Sequence, residues 1–123
     1  MEKILLIEDD KFLSDMYVTK FSKFGYKIET AYDGEEGIRK TRKIGPDVIL
    51  LDIRLPLKDG FEVLKEIKKD QKTKDIPVIL LTNLGQKEDI EKGVKLGAVD
   101  YLIKAQFTPQ EVVDKVRRIT SNN

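Results

Sequence analysis

Acidic residues collect where two apolar runs of the chain end: Glu8, Asp9 and Asp10 follow the run 4–7, and Asp52 follows the run 48–51. Carboxylates brought together without a cation repel one another and raise one or more of their pKa values, so such a group is costly unless a metal or a lysine offsets it. An all-oxygen donor set selects Mg2+ or a similar hard cation. Two further runs end in groups that complement this chemistry, 78–81 in the hydroxyl of Thr82 and 98–103 in the cation of Lys104. Taken singly, Thr82 reads as a turn residue, Lys104 as a surface charge and Asp10 as a helix N-cap, a position that favours Asp. For Asp10 the cap is the preferred reading; for Glu8, Asp9 and Asp52 together a shared site is. With neither Cys nor His, the chain has no disulfide, no thiolate or imidazole metal site and no Ser-His-Asp type triad, so its chemistry rests on carboxylates, Lys, Arg, Tyr and hydroxyls.

These groups meet only if the runs that carry them lie side by side. Five apolar segments, 4–7, 26–31, 48–51, 78–81 and 98–103, alternate with amphipathic ones. Leu13, Met16, Tyr17, Phe21 and Phe24 recur at helical spacing and stop at Gly25, and the stretch 33–44 runs into Gly45-Pro46, a helix stop. Phe61, Leu64 and Ile67 mark a third helix, and Ile90 and Val94 a fourth that stops at Gly97. In the last helix Thr108 reads as N-cap, Pro109 as first helical residue and Glu111 as capping-box partner, ahead of Val112, Val113, Val116 and Ile119. Strict alternation gives right-handed crossovers and an α/β fold, a parallel sheet with helices on both faces. Segments one, three and four are unbroken apolar runs, as strands buried on both faces are, whereas Tyr26 and Ile28 alternate with Lys27 and Glu29 in an edge-like pattern. The doubly wound, flavodoxin-like (βα)5 order 2-1-3-4-5 puts that segment at an edge. In such five-stranded sheets ligands sit beyond the carboxyl ends of strands one and three, where Glu8, Asp9 and Asp52 converge.

On these residues the chain resembles the receiver domain of two-component response regulators. The resemblance runs from Lys3 to about Ile119: Glu8-Asp9 after the first strand, Asp52 within the segment 50–56 followed by Asp59-Gly60, Thr82 after Ile79-Leu80-Leu81, and Gly97-Ala98 before Asp100-Tyr101-Leu102-Ile103-Lys104. It implies one receiver domain over residues 1–123, with its core at about 3–119. It implies that Asp52 accepts a phosphoryl group from a phosphohistidine on a sensor histidine kinase or histidine phosphotransfer protein. Asp9, Asp52 and the backbone carbonyl of Arg54 would hold Mg2+, with Glu8 acting through water. Lys104 and Thr82 would neutralise and hydrogen-bond the phosphoryl oxygens. As a switch, Thr82 would move toward the phosphoryl group and Tyr101 would turn inward, remodelling the surface of helix four, strand five and helix five for a downstream protein or effector domain. Such a protein is a signalling switch rather than an enzyme on an external substrate, and a phosphorylation-dependent dimer is among its expected partners.

Three positions depart from the family pattern. Lys104 is followed by Ala105 where the family carries a cis proline, and since cis costs a non-proline bond about 2.5 to 4 kcal/mol the Lys104–Ala105 bond is expected to be trans. Asn83 stands where a small residue is usual, and Arg54 is a large cation beside the site. Arg54 and Leu84 flank the expected phosphoryl position and neither is suited to orient a water, which implies slow autodephosphorylation.

Bulk composition narrows the partners. Lys and Arg total 23 against 22 Asp and Glu, a net charge of +1, which supplies no basic field for nucleic acid or a membrane surface, so neither is expected as a direct partner. The apolar runs fall far short of the ~20 residues of a membrane span, and the absence of cysteine fits a reducing compartment, giving a cytoplasmic expectation. Three other readings stand beside the receiver. A scaffold that no longer phosphorylates would keep the fold and act by contacts alone. An aspartyl-phosphate phosphatase usually needs a second Asp where Arg54 stands. A flavodoxin-like cofactor carrier would place a phosphate against Glu8, Asp9 and Asp10, which repel it. The chain ends at Ser121-Asn122-Asn123, so the protein is expected either to dock on another protein or to be a receiver excised from a longer chain.

Overall fold

The structure is a computed structural model that describes residues 2–83, 87–104 and 108–121. Among these, strands and helices alternate along the chain: β1 (Lys3–Ile7), α1 (Lys11–Lys23), β2 (Lys27–Ala31), α2 (Gly34–Ile44), β3 (Val48–Asp52), α3 (Gly60–Lys69), β4 (Val78–Thr82), α4 (Lys87–Lys95), β5 (Asp100–Ile103) and α5 (Pro109–Ser121). The strands form one parallel sheet in the order β2-β1-β3-β4-β5. The expected doubly wound architecture is therefore what the chain adopts.

Period-two alternation along each strand sends neighbouring residues to opposite faces. Ile4, Leu6, Val48, Leu50, Ile79, Leu81 and Leu102 pack with Tyr17 and Phe21 of α1 and with Val112, Val113 and Val116 of α5. Leu5, Ile7, Ile49, Leu51, Val78 and Leu80 pack on the other face against Ile38 of α2 and Phe61, Val63, Leu64 and Ile67 of α3. Strands β1, β3 and β4 lie inside the sheet, which explains why their sequences read as unbroken apolar runs.

Helix starts follow local side-chain chemistry. Leu13 N–H donates to Asp10 Oδ1 at 3.1 Å, Glu36 N–H to Asp33 Oδ1 at 2.8 Å and Glu62 N–H to Asp59 Oδ1 at 3.0 Å. At α5 the capping box closes both ways, Glu111 N–H to Thr108 Oγ1 at 3.2 Å and Thr108 N–H to Glu111 Oε1 at 3.0 Å. Gly45 ends α2 in a left-handed conformation, φ 61°, that costs a Cβ-bearing residue energy.

Some apolar positions depart from the expected stripes. Met16 and Phe24 in and beside α1 are exposed, and the buried line of that helix is Ser14, Tyr17 and Phe21 instead. In α4, Val94 is exposed and Gly93 takes the inward place, because the helix lies so close to β4 that an added Cβ would come within 2.1 Å of Leu80. Ala98 and Val99 precede β5 rather than belonging to it. Burial thus follows how near each helix approaches the sheet, which hydrophobicity alone does not report.

Candidate acidic site at the carboxyl edge of the sheet

Three side chains of the site continue lines begun in the core. Glu8 stands two residues beyond Leu6, Asp52 two beyond Leu50 and Lys104 two beyond Leu102, and all three leucines belong to the cluster packed under α1 and α5. The register Leu6↔Leu50 puts β1 and β3 level, so that Glu8 and Asp52 leave the sheet side by side. Asp9 turns the chain toward α1. One carboxylate oxygen from each of Glu8, Asp9 and Asp52 falls within 4.8 Å of the others. Glu8 is fully buried and Asp52 nearly so, while Asp9 faces solvent. Asp10 stays outside this group as the cap of α1, the role its residue type favours.

Lys104 closes the cluster. Its ammonium donates to Glu8 Oε1 and, at 3.1 Å, to Asp52 Oδ2. Burial pushes the Glu8 carboxyl up, a hydrogen bond and charge from Asp52 add to this and Lys104 opposes it, leaving a pKa of about 8. For Lys104, burial works downward, but the hydrogen bond to Glu8 and the charges of Asp52 and Glu8 outweigh it and hold the ammonium above its ordinary pKa. One lysine thus faces two buried carboxylates, and a further positive charge or a proton is needed to balance the pair. Glu8 Oε2 is buried and, among the described residues, accepts no hydrogen bond. A donor set made only of carboxylate oxygens, with one orphaned lone-pair site inside it, fits a hard divalent cation.

The segment after β3 fixes the open side of the cluster. Arg54 N–H donates to Asp52 Oδ1 at 3.2 Å, and its side chain is exposed. Gly60 N–H donates back to Ile53 O at 2.6 Å, so close that an added Cβ would lie 2.4 Å from Asp52 O. That approach is why glycine stands at the start of α3. Lys58 of the same segment pairs with Glu66 of α3. Thr82 ends β4 beside Ile103 and is buried, whereas Tyr101 on the edge strand β5 is exposed. Asn83 is exposed. Leu84 and the Lys104–Ala105 bond lie outside the described residues.

Tyr17 was legible in the sequence only as one member of an apolar stripe. In the fold it is 2% exposed, in the core layer directly beneath the cluster, and its hydroxyl feels the charges of Lys104, Glu8 and Asp52. Its one distinguishing mark in the sequence is a hydroxyl among otherwise aliphatic and phenyl neighbours.

Comparison with known proteins gives this geometry a context. The sequence profile described as response regulator receiver domain matches residues 4–117. Over 119 residues the chain is 40% identical to the DNA-binding dual master transcriptional regulator RpaA of Synechocystis sp., covering 97% of this chain and 49% of that protein. The fold superposes on the chemotaxis response regulator CheY4 of Vibrio cholerae with a TM-score of 0.90 at 31% identity, covering 97% of this chain and 98% of that one. It also matches the receiver domain of the sensor histidine kinase PA1611 of Pseudomonas aeruginosa PAO1, a structure with a magnesium ion coordinated in its active site cleft, with a TM-score of 0.88, 29% identity and 98% of each chain covered. The chain spans about half the length of the curated relatives it matches. A relative named as DNA-binding gives no support to the expectation that nucleic acid is no partner. Among the described residues no helix is long and apolar enough to cross a membrane.

Proposed function

This chain belongs to the family of response regulator receiver domains, and we propose that it is a phosphorylation switch in which Asp52 is the phosphoacceptor. An Asp52 carboxylate oxygen attacks the phosphorus of a phosphohistidine on a sensor histidine kinase or a histidine phosphotransfer protein. The O–P bond forms as the N–P bond breaks, and the imidazole leaves with the electron pair. The observation that carries this reading is the convergence of Glu8, Asp9 and Asp52 oxygens within 4.8 Å, with the Lys104 ammonium 3.1 Å from Asp52 Oδ2.

Asp9, Asp52 and the Arg54 backbone carbonyl are the residues that would hold Mg2+, with Glu8 acting through a water, and the bound ion supplies charge neutralisation for the incoming phosphoryl group. The ammonium of Lys104, held on Asp52 in the resting state, is placed to transfer to a phosphoryl oxygen, and the Thr82 hydroxyl donates to another. Buried surroundings strengthen both contacts and keep water from competing.

The readout is a two-state surface. Thr82 moving toward the phosphoryl group leaves space into which Tyr101, exposed in the resting state, turns inward. The surface of α4, β5 and α5 changes with it and serves a downstream protein, an effector domain or a second copy of the chain. The protein then acts as a switch, with no reaction on an external substrate.

Incubation with acetyl phosphate and Mg2+ tests the assignment by intact mass. One added phosphoryl group is expected, and Asp52→Asn removes it. Stoichiometric labelling retained in that variant would move the acceptor elsewhere, and an unlabelled wild type would leave a scaffold that works by contacts alone.

A further inference from the structure

An ammonium has three N–H donors, and the two contacts that fix Lys104 are both to carboxylates. Phosphoryl transfer requires Lys104 to exchange at least one of these for a phosphoryl oxygen. A lysine held only by charged partners is either locked onto them or, once Asp52 has reacted, loose on a flexible stem. A neutral oxygen nearby would keep its direction without competing for its charge.

Helix α1 brings such an oxygen. It begins at Lys11, three residues beyond Glu8, so its N-terminus stands at the carboxyl edge of the sheet. Side chains on a helix lean toward its N-terminus, so an inward-facing residue of the second turn leans up toward that edge. Tyr17 is that residue. It is packed with Leu6, Leu50 and Leu102, each two positions short of Glu8, Asp52 and Lys104 on the same face. Burial raises the Tyr17 phenol, the charge of Lys104 opposes the rise, and Glu8 and Asp52 add to it. The charges of all three members of the cluster thus reach this one hydroxyl, while in the resting structure the ammonium of Lys104 bonds Glu8 and Asp52 and is free to meet the phenol oxygen only as it leaves them. One turn nearer the edge, Ser14 is fully buried, and among the described residues its Oγ has no hydrogen-bond partner. The inward face of α1 thus offers hydroxyls at its upper end, where packing alone calls for aliphatic groups.

We infer that Tyr17 is a positioning residue for phosphoryl transfer, its phenol oxygen giving the Lys104 ammonium a neutral partner that directs it from Glu8 and Asp52 onto the incoming phosphoryl oxygens. The inference rests on Asp52 being the phosphoacceptor. Tyr17 touches no reacting atom in this role and acts only through Lys104.

Tyr17→Phe keeps the ring and its packing and removes the oxygen. With saturating acetyl phosphate and Mg2+, the labelling rate of the variant should fall about ten- to a hundredfold, the effect of one hydrogen bond to a charged group. The Mg2+ dissociation constant from calorimetry and the urea midpoint should stay at their wild-type values, since neither reads the orientation of Lys104. In a Lys104→Gln background, Tyr17→Phe should cause no further loss. A wild-type labelling rate in Tyr17→Phe, or an equal loss with and without Lys104, would overturn the inference. A wild type that takes no label would instead overturn the phosphoacceptor reading on which it rests.

Discussion

Lys104 Nζ lies 3.1 Å from Asp52 Oδ2 although 52 residues separate the two in the chain. The same ammonium bonds Glu8 Oε1, so one cation at the end of β5 joins the ends of β3 and β1 across the sheet. Lys104 is 11% exposed at its side chain, Asp52 7% and Glu8 fully buried, which distinguishes this bridge from the surface pairs of the molecule. Surface pairs contribute little because water screens both partners. Here, removing the cation leaves two carboxylates facing each other out of water.

Lys104→Met should therefore destabilise the protein by about 3 kcal/mol at about pH 9 in chelator, where Glu8 has lost its proton, and by less at neutral pH, where that proton offsets part of the missing charge. Urea unfolding reads the loss, and Mg2+ should restore part of it by supplying the missing charge. Equal midpoints for the variant and the wild type in chelator would show that the bridge carries no net stability.

The raised Glu8 pKa fixes a direction for stability against pH. Its carboxyl titrates near pH 8 in the folded chain against an ordinary 4.5, so the folded state holds a proton that the unfolded state has released. A group of this kind contributes stability that is complete below the unfolded pKa and is lost as pH rises through the folded one. In chelator, the melting temperature should fall between about pH 5 and pH 9, and Glu8→Gln should flatten that slope. Lys104, raised from 10.5, remains charged throughout this window and loses its contribution only above it. Because the same proton must leave before Glu8 can face a cation, Mg2+ affinity should rise with pH over the same range. A melting temperature that climbs toward pH 9 in chelator would place the proton on another group.

Asp9 separates the proposed metal site from the resting fold. It is the exposed member of the cluster and makes no contact with Lys104 among the described residues. Asp9→Ala should weaken Mg2+ binding severalfold while changing stability in chelator by less than about 0.5 kcal/mol, as exposed substitutions usually do. Calorimetry on both proteins reads the difference, and an unchanged dissociation constant would move the ion away from Asp9.

Most of the scaffold could be read from local chemistry. Unbroken apolar runs at β1, β3 and β4, the alternating β2, the Asp10 and Thr108 caps and the glycine stops specify strands, helices and their order, because each depends on neighbours a few residues away. The meeting of Glu8, Asp9, Asp52 and Lys104 followed from the same logic, since strand ends of a parallel sheet share one edge. What could not be read depends on distance between elements. Nothing near Val94 in sequence says that Gly93 must face Leu80, and nothing near Met16 says that α1 buries Ser14 instead. The sharing of Lys104 between Glu8 and Asp52, and the place of Tyr17 beneath them, are likewise facts of packing.

Gly60 ties the backbone of Asp52, the proposed acceptor, to α3. Its N–H donates to Ile53 O, and a Cβ there would meet Asp52 O at 2.4 Å and Ile53 Cα at 2.6 Å, both backbone atoms that cannot swing aside. Gly60→Ala should cost about 2 kcal/mol by overpacking. It should also slow labelling of Asp52 more than the lost stability explains at temperatures where the variant is still folded, because the strain falls on the acceptor's own peptide unit. Wild-type labelling kinetics in a folded Gly60→Ala protein would show that the loop relaxes without moving Asp52.

The last expectation concerns how long the signal lasts. Hydrolysis of an acyl phosphate on Asp52 needs a water held in line with its oxygen, and such a water is oriented by a group that can accept its proton in a hydrogen bond. Arg54 N–H already donates to Asp52 Oδ1, so the Arg54 side chain starts at the open mouth of the site and is exposed. A guanidinium has five donors and no acceptor, so it can bond the phosphoryl oxygens but cannot orient the attacking water through its proton. Autodephosphorylation should therefore be slow, and a partner phosphatase would be needed to end the signal quickly. Arg54→Asn places a side-chain carbonyl at the same point and withdraws the charge that holds the phosphoryl group. Decay of the labelled protein, followed by intact mass after the phosphodonor is removed, should quicken about fivefold or more, the worth of one oriented hydrogen bond. Equal decay in the two proteins would mean that the side chain at this position does not govern the water.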